Sequence, residues 1–370
     1  MATTVTRSEP MEPMLPPVSE RPTLVGWLRR NLFSSPVNSV ISILLILLLL
    51  WIIVPFVRWA FVDATWLADS REGCTAGGAC WAVFRVRWRQ YLYGLYPEPE
   101  QWRINLAVVL LIAAFLPLFL KSFGPKLWWA LGMIVVYPIV AWILFMGGMF
   151  GLPLVETSMW GGLFLTLVIA ITGIVSSLPL GIVLALGRRS KLPIIKSLSV
   201  AFIELVRGVP LVTVLFMASV MLPLFLPEGV TFDKLLRALI AVMLFSSAYI
   251  AEVVRGGLQA LPKGQSEAAA ALGLGYWQTT GLIVLPQALK LVIPGIVNSF
   301  IGLFKDTSLV LIVGLFDLLG MAQLIIKDPK WLGLAPETYV IAGLGFWIFC
   351  FGMSRYSQHL ERKLQTGHKR

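Results

Sequence analysis

An all-α membrane protein with about eight transmembrane helices is what this 370-residue sequence predicts. Hydrophobic residues make up 58% of the chain and charged residues 13%. Mean hydropathy is +0.83, and long apolar runs recur from one end of the chain to the other. Lipid supplies no hydrogen-bond partners, so each spanning run must satisfy its own backbone, and a helix of about 20 apolar residues does this.

The runs lie at about 37–57, 104–120, 127–151, 161–186, 209–226, 235–254, 292–314 and 338–354. At about 1.5 Å per residue most are long enough to cross a core of about 30 Å, given some tilt. The run at 104–120 is the shortest. Residues 1–36 contain no apolar h-region and read as a cytosolic N-terminal segment rather than a cleaved signal.

Lys and Arg set the orientation. With the N-terminus cytosolic, the inside segments hold Arg21, Arg29 and Arg30, then Lys121 and Lys126, then Arg188, Arg189, Lys191 and Lys196, and finally the basic tail 357–370. The short outside segment 152–160 has no Lys or Arg, and 227–234 has only Lys234. Loop 58–103 carries six Arg against five acids and falls outside in this scheme, but long loops count for less. Both termini are therefore expected in the cytosol, with the chain crossing its membrane several times.

The net charge of +11 sits in loops between apolar runs, not along one basic face. It points to topology and to contact with membrane lipid, and excludes a nucleic-acid partner. Loop 58–103 also holds Trp66, Trp81, Trp88, Tyr91, Tyr93, Tyr96 and Trp102, the residues of membrane interfaces. It reads as a small extracytoplasmic subdomain or an amphipathic hairpin lying on the bilayer. Within it Cys74 and Cys80 flank a flexible Thr-Ala-Gly-Gly-Ala spacer. Either a disulfide or two free thiols fits them. Three cysteines are too few for a disulfide framework.

The chain divides near 152. Three accessory spans occupy 37–152, and a five-helix part occupies 153–356 and carries nearly all the intramembrane charge. No internal repeat is evident, which weighs against inverted-repeat secondary transporters. No Gly-x4-Gly-Lys-Ser/Thr occurs, so the chain has no P-loop. His359 and His368 stand in the charged tail without metal-ligand neighbours. No nucleophile set is present, and neither metal nor enzymatic activity is expected.

Between the sixth and seventh runs stands Glu267-Ala268-Ala269, with Gly273, Ile283, Leu285 and Pro286 at fixed distances beyond it. Chance produces such a pattern on the order of 10⁻⁸ per start position. Ala and Leu favour a helix over 267–272, Gly273 and Gly275 break it, and a second helical stretch is expected to end near Pro286. Placed in the cytosol, this short helix-turn-helix suits docking.

The segment resembles the EAA loop of permease subunits of bacterial ABC importers. Trp160-Gly161-Gly162 with Thr166, Arg207-Gly208-Val209-Pro210, Ala248-Tyr249 with Glu252 and Arg255-Gly256-Gly257, Gly264-Gln265, Leu285-Pro286-Gln287-Ala288 and Lys305-Asp306-Thr307-Ser308-Leu309 resemble the polar amino-acid branch. With its accessory spans, the chain is most similar to the larger permease of general L-amino-acid importers. The resemblance implies a type I importer core in the last five helices and a coupling loop at about 256–290. Glu267, Ala268, Ala269, Gly273, Leu285 and Pro286 would seat on a partner ABC ATPase dimer, which binds the ATP and Mg that this chain does not. A second, shorter permease and a periplasmic amino-acid-binding protein complete the implied assembly. A secondary transporter, a membrane scaffold or sensor, and an importer of opines or polyamines are the competing readings.

Ionisable residues within spans are costly and mark function by default. Glu204 with Arg207, and Glu252 with Arg255, each stand at i,i+3 and suit an ion pair on one helix face. They read either as pairs closing the inner mouth or as direct substrate contacts. Lys305 and Asp306 are adjacent, so they point about 100° apart and pair poorly on a straight helix. With Thr307 and Ser308, and Asn298 about two turns earlier, they either line a pocket for an amino acid's two charges or pair with other helices. Pro210 and Pro294 either kink spans or start them.

Overall fold

The computed structural model describes residues 23–120, 123–227, 229 and 232–365. Among them, seven helices are long and apolar enough to cross a membrane, or eight if one bent pair counts as a span. The chain divides into two compact units, one of residues up to 64 with 76–79, the other of 65–75 and 80 onward.

The first unit holds α1 (Leu24–Asn31) and α2 (Pro36–Val57), followed by a π-turn over Arg58–Val62. Ser35 caps α2 by accepting the Asn38 N–H at 3.2 Å, and Pro36 occupies the first helical position, where its missing N–H costs nothing.

The second unit begins with α3 (Ala82–Tyr93), α4 (Gln101–Phe119) and α5 (Lys126–Met146). Arg103 at the start of α4 is fully buried, pairs with Glu100 at 2.5 Å and donates to the Pro153 carbonyl at 2.9 Å. Next come α6 (Gly162–Arg188), α7 (Pro193–Arg207) and α8 (Leu211–Phe216), the last prolonged by π and 3₁₀ turns to Phe225. Helix α7 was not among the apolar runs, because Lys196, Glu204 and Arg207 dilute its hydropathy. Pro210 disfavours helical backbone at Val209, and the chain turns by 103° between α7 and α8. Pro210 thus starts a span, whereas Pro294 lies inside one.

Helix α9 (Lys234–Ala260), capped by Asp233, packs along α6 at the centre of the unit. Then follow α10 (Gly264–Ala271), α11 (Tyr276–Gln278) and α12 (Leu285–Asp306), which continues as a 3₁₀ turn to Val313. The helical stretch entered at Tyr276 does not end near Pro286 as expected. Proline lacks the N–H that continues an α ladder, and a π segment over Thr279–Val284 carries the helix past it. Helices α13 (Leu318–Ile326) and α14 (Ala335–Gln365) complete the unit.

Three apolar clusters hold it together. A central one includes Phe145, Trp160, Phe164, Leu165 and Leu303. One toward the α10 end joins Ile203, Ile250, Val254, Leu258 and Ala288. The third joins Cys80, Val83 and Tyr91 to Leu318, Ile325, Trp331 and Ala342, so residues of α3 pack on α13 and α14. Here Arg87 pairs with Asp328, and the Cys80 N–H donates to buried Glu337 at 3.1 Å. Tyr91 and Tyr96 are therefore core, while Trp66, Trp88 and Trp102 stay exposed.

Candidate functional site

Helix α10 carries Glu267 in its first turn, exposed, with Ala268 exposed and Ala269 buried beneath them. The helix stops where Gly273 takes φ +74°, and the Leu274 N–H reaches back to the Ala269 carbonyl at 3.1 Å. Such a left-handed stop favours glycine, since a Cβ there is strained. The Gly275 N–H donates to Gln278 Oε1 at 3.1 Å and starts α11. The knob so formed presents Leu272 at 80% exposure and Trp277 at 75%, with Tyr276 and Leu282 beside them. Leu285 is half-buried and Pro286 exposed where the knob rejoins the bundle.

The knob stands on a closed base. Gln287 Nε2 donates to the Ile283 carbonyl at 2.8 Å and approaches Gln265 Oε1 at 3.4 Å. Gly257 of α9 meets the backbone of Ala288 of α12 so closely that a Cβ would lie 2.7 Å from the Ala288 carbonyl oxygen.

Two turns before the end of α9 lies a cluster of charges. Glu252, its side chain 15% exposed, accepts from Arg188 at 2.8 Å through Oε1. It takes Arg255 Nη2 at 2.8 Å and faces Arg207 at 3.5 Å through Oε2. Arg188 also donates to Glu204 at 2.8 Å, and Arg207 lies over the Tyr249 ring at 5.7 Å. The sequence spacing placed Glu252 with Arg255 correctly. Its other pair is rearranged: Glu204 goes to Arg188, and Arg207 to Glu252. Arg188 in the last turn of α6 is the member that spacing within one helix has no means of supplying.

Lys305 and Asp306 sit at the far end of α12. Leu303 just before them packs against Gly173, eleven residues past the start of the 27-residue α6, so the pair lies well inside the bundle's length. Neither enters an ion pair with another described residue. Lys305 is exposed and, with Ser308, lines an open groove of about 270 Å³ beside Tyr339, Ala342 and Phe346. Asn298 is exposed at i−7 from Lys305, on the same face. Thr307 is instead buried, its hydroxyl donating to the Phe304 carbonyl at 2.8 Å.

The Trp160-Gly161-Gly162 motif forms a junction. Gly161 and Gly162 bridge Phe316 and Asp317 in parallel, and Thr166 Oγ1 accepts the Leu318 N–H at 3.0 Å. Asp317 is fully buried and caps α13 through Gly320, while its second oxygen takes no hydrogen bond. Burial pushes its carboxyl up to about 6, against the Gly320 and Leu319 N–H groups that hold it down. Cys74 and Cys80 stand as a disulfide with Cα atoms 5.7 Å apart. No metal-ligating cluster occurs among the described residues.

Comparison with known proteins fits this arrangement. The family of binding-protein-dependent transport system inner membrane components matches residues 177–366, a stretch running from α6 to α14 through the knob. The chain belongs to that family. It is 57% identical over 341 residues to the inner membrane amino-acid ABC transporter permease protein YhdY of Escherichia coli K12, covering 92% of this chain and 93% of that one. It is 42% identical to the glutamate/glutamine/aspartate/asparagine transport system permease protein BztC of Rhodobacter capsulatus, covering 99% of each. A solved chain from an amino acid ABC transporter with histidines aligns at 29% identity, over 55% of this chain and 92% of that one, with a TM-score of 0.49. The family places this chain among multi-pass permease components of the inner membrane.

Proposed function

We propose that this chain forms one half of an ATP-driven uptake pathway for L-amino acids. One observation carries the reading: a chain without a P-loop presents an exposed apolar knob on a firmly packed base, and Glu267, Ala268, Ala269 and Gly273 build that knob. The energy then comes from outside the chain, from an ABC ATPase dimer that holds the ATP and Mg and seats the knob. The names of both close relatives, amino-acid permeases, support the cargo class. The Lys and Arg distribution supports both termini, and the knob with them, in the cytosol.

In this reading a periplasmic amino-acid-binding protein delivers substrate, and a second, shorter permease supplies the other half. Lys305, Asp306, Ser308 and Asn298 offer the charges and hydroxyl that an amino acid's carboxylate and ammonium require. The charge cluster around Glu252 and Glu204 closes the inner mouth when the ATPases close on each other. Purification of the chain from its native membrane tests the assembly: an ATPase and a shorter permease are expected with it. Reconstituted with the binding protein, the complex should take up labelled amino acid only with ATP. Uptake in ATP-depleted vesicles driven by an ion gradient overturns the reading.

A further inference from the structure

The two sides of Glu252 are held by different means. On one side, α9 and α12 meet backbone to side chain at Gly257, where a Cβ would lie 2.7 Å from both the Ala288 oxygen and Val292 Cγ1. Contacts that close do not slide, so the α9 and α12 ends that carry the knob move as one body. On the other side, charge pairs join α9 to the last turn of α7 and the last turn of α6. The longest of them, Arg207 to Glu252 at 3.5 Å, stands immediately before the 103° bend into α8.

Arg188 is bonded at 2.8 Å to carboxylates of both α7 and α9. With three guanidiniums around it, Glu252 keeps partners when any one of them withdraws. Arg188 likewise keeps Glu204 if Glu252 moves. Charge pairs of this kind can lengthen or exchange without leaving a buried charge unpaired, the event that makes breaking such pairs costly.

We infer that Glu252 is the joint through which motion of the knob reaches the bend between α7 and α8. When the knob moves, α9 carries Glu252 with it, Arg207 follows or releases, and α8 changes its angle in the bundle. Glu252 is thus a positioning residue: it acts through Arg207 and Arg188 and need not touch substrate. This rests on the proposed transport function, so the wild-type complex must first show ATP-driven uptake; its absence removes that function, not only the joint.

Given such uptake, Glu252→Gln is expected to copurify with its ATPase and to lower amino acid imported per ATP hydrolysed by about tenfold or more, with partial recovery in Glu252→Asp. Unchanged yield per ATP in Glu252→Gln overturns the joint. A second measurement needs no change at the cluster. Spin labels at Phe216→Cys and Ala260→Cys, in a Cys350→Ser background, report the distance between the ends of α8 and α9. That distance should change between the nucleotide-free and the ATP-trapped wild-type cluster, and one fixed distance in both states overturns the joint even if Glu252→Gln fails to assemble.

Discussion

Gly257 and Ala288 touch across the base of the knob with no room for a methyl group between them. Its neighbour Gly256 faces open space. The two glycines therefore separate a packing effect from a helix-propensity effect. Gly256→Ala should be neutral or stabilising by up to about 1 kcal/mol. Gly257→Ala should cost about 1–3 kcal/mol by overpacking and reduce transport. Thermal unfolding in detergent and uptake in proteoliposomes check both, and equal behaviour of the two variants contradicts the close contact.

Glu267 is exposed on α10 and pairs with no other described residue, so reversing its charge changes the docking surface rather than the fold. Glu267→Lys should lose the ATPase on purification or hydrolyse ATP without transport. Gly273→Val, which forces a branched side chain to φ +74°, should destabilise the knob by about 1–2 kcal/mol and reduce ATPase recovery. Normal coupled transport by Glu267→Lys counts against the knob as the docking surface.

Asp306 has no ion-pair partner among the described residues to lose. Asp306→Asn keeps the shape and removes the charge. Transport should be abolished with assembly intact, as read by uptake and by recovery of partner subunits. Wild-type uptake removes Asp306 from the pathway.

Asp317 provides a pH signature. Its carboxyl is raised to about 6, so between pH 4 and 6 the folded chain binds more protons at this site than the unfolded chain. Stability from this group is therefore highest below the ordinary Asp range and falls as pH rises through about 6, by at most about 3 kcal/mol. Asn at this position still accepts the Gly320 N–H and carries no charge. Asp317→Asn should unfold at a higher temperature than wild type at pH 7.5, and the difference should shrink toward pH 4.5. A constant difference across that range contradicts the titration.

The Cys74–Cys80 bond is open to mass mapping under non-reducing conditions. A single cross-linked peptide is expected from membranes, with Cys350 the alkylatable thiol. Alkylation of Cys74 and Cys80 without reductant contradicts it.

Apolar length and turn chemistry were enough to find the spans and the knob in the sequence, because both are local properties. Helices α7 and α13 were not legible. The first is too charged for a hydropathy window, and the second is only nine residues long. Pro286 signalled an end and instead sits after a π segment that carries the helix past it. The charge cluster shows the same limit from the other direction. Spacing on one helix identifies Glu252 with Arg255, but Arg188 arrives from another helix 64 residues away in sequence.

The Cys80 amide and the Glu337 carboxylate that accepts its hydrogen are separated by 257 residues. Ribosomal synthesis delivers the first long before the second, so α3 leaves the translocon with its apolar face uncovered. Helix α6 reaches it first, and its cover is complete only when α13 and the head of α14 follow. The buried face of α3 is thus a record of completion: a nascent chain cut short before Leu318 lacks the partners that Val83 and Tyr91 find on α13 and α14, and only a chain extended past them closes that cluster.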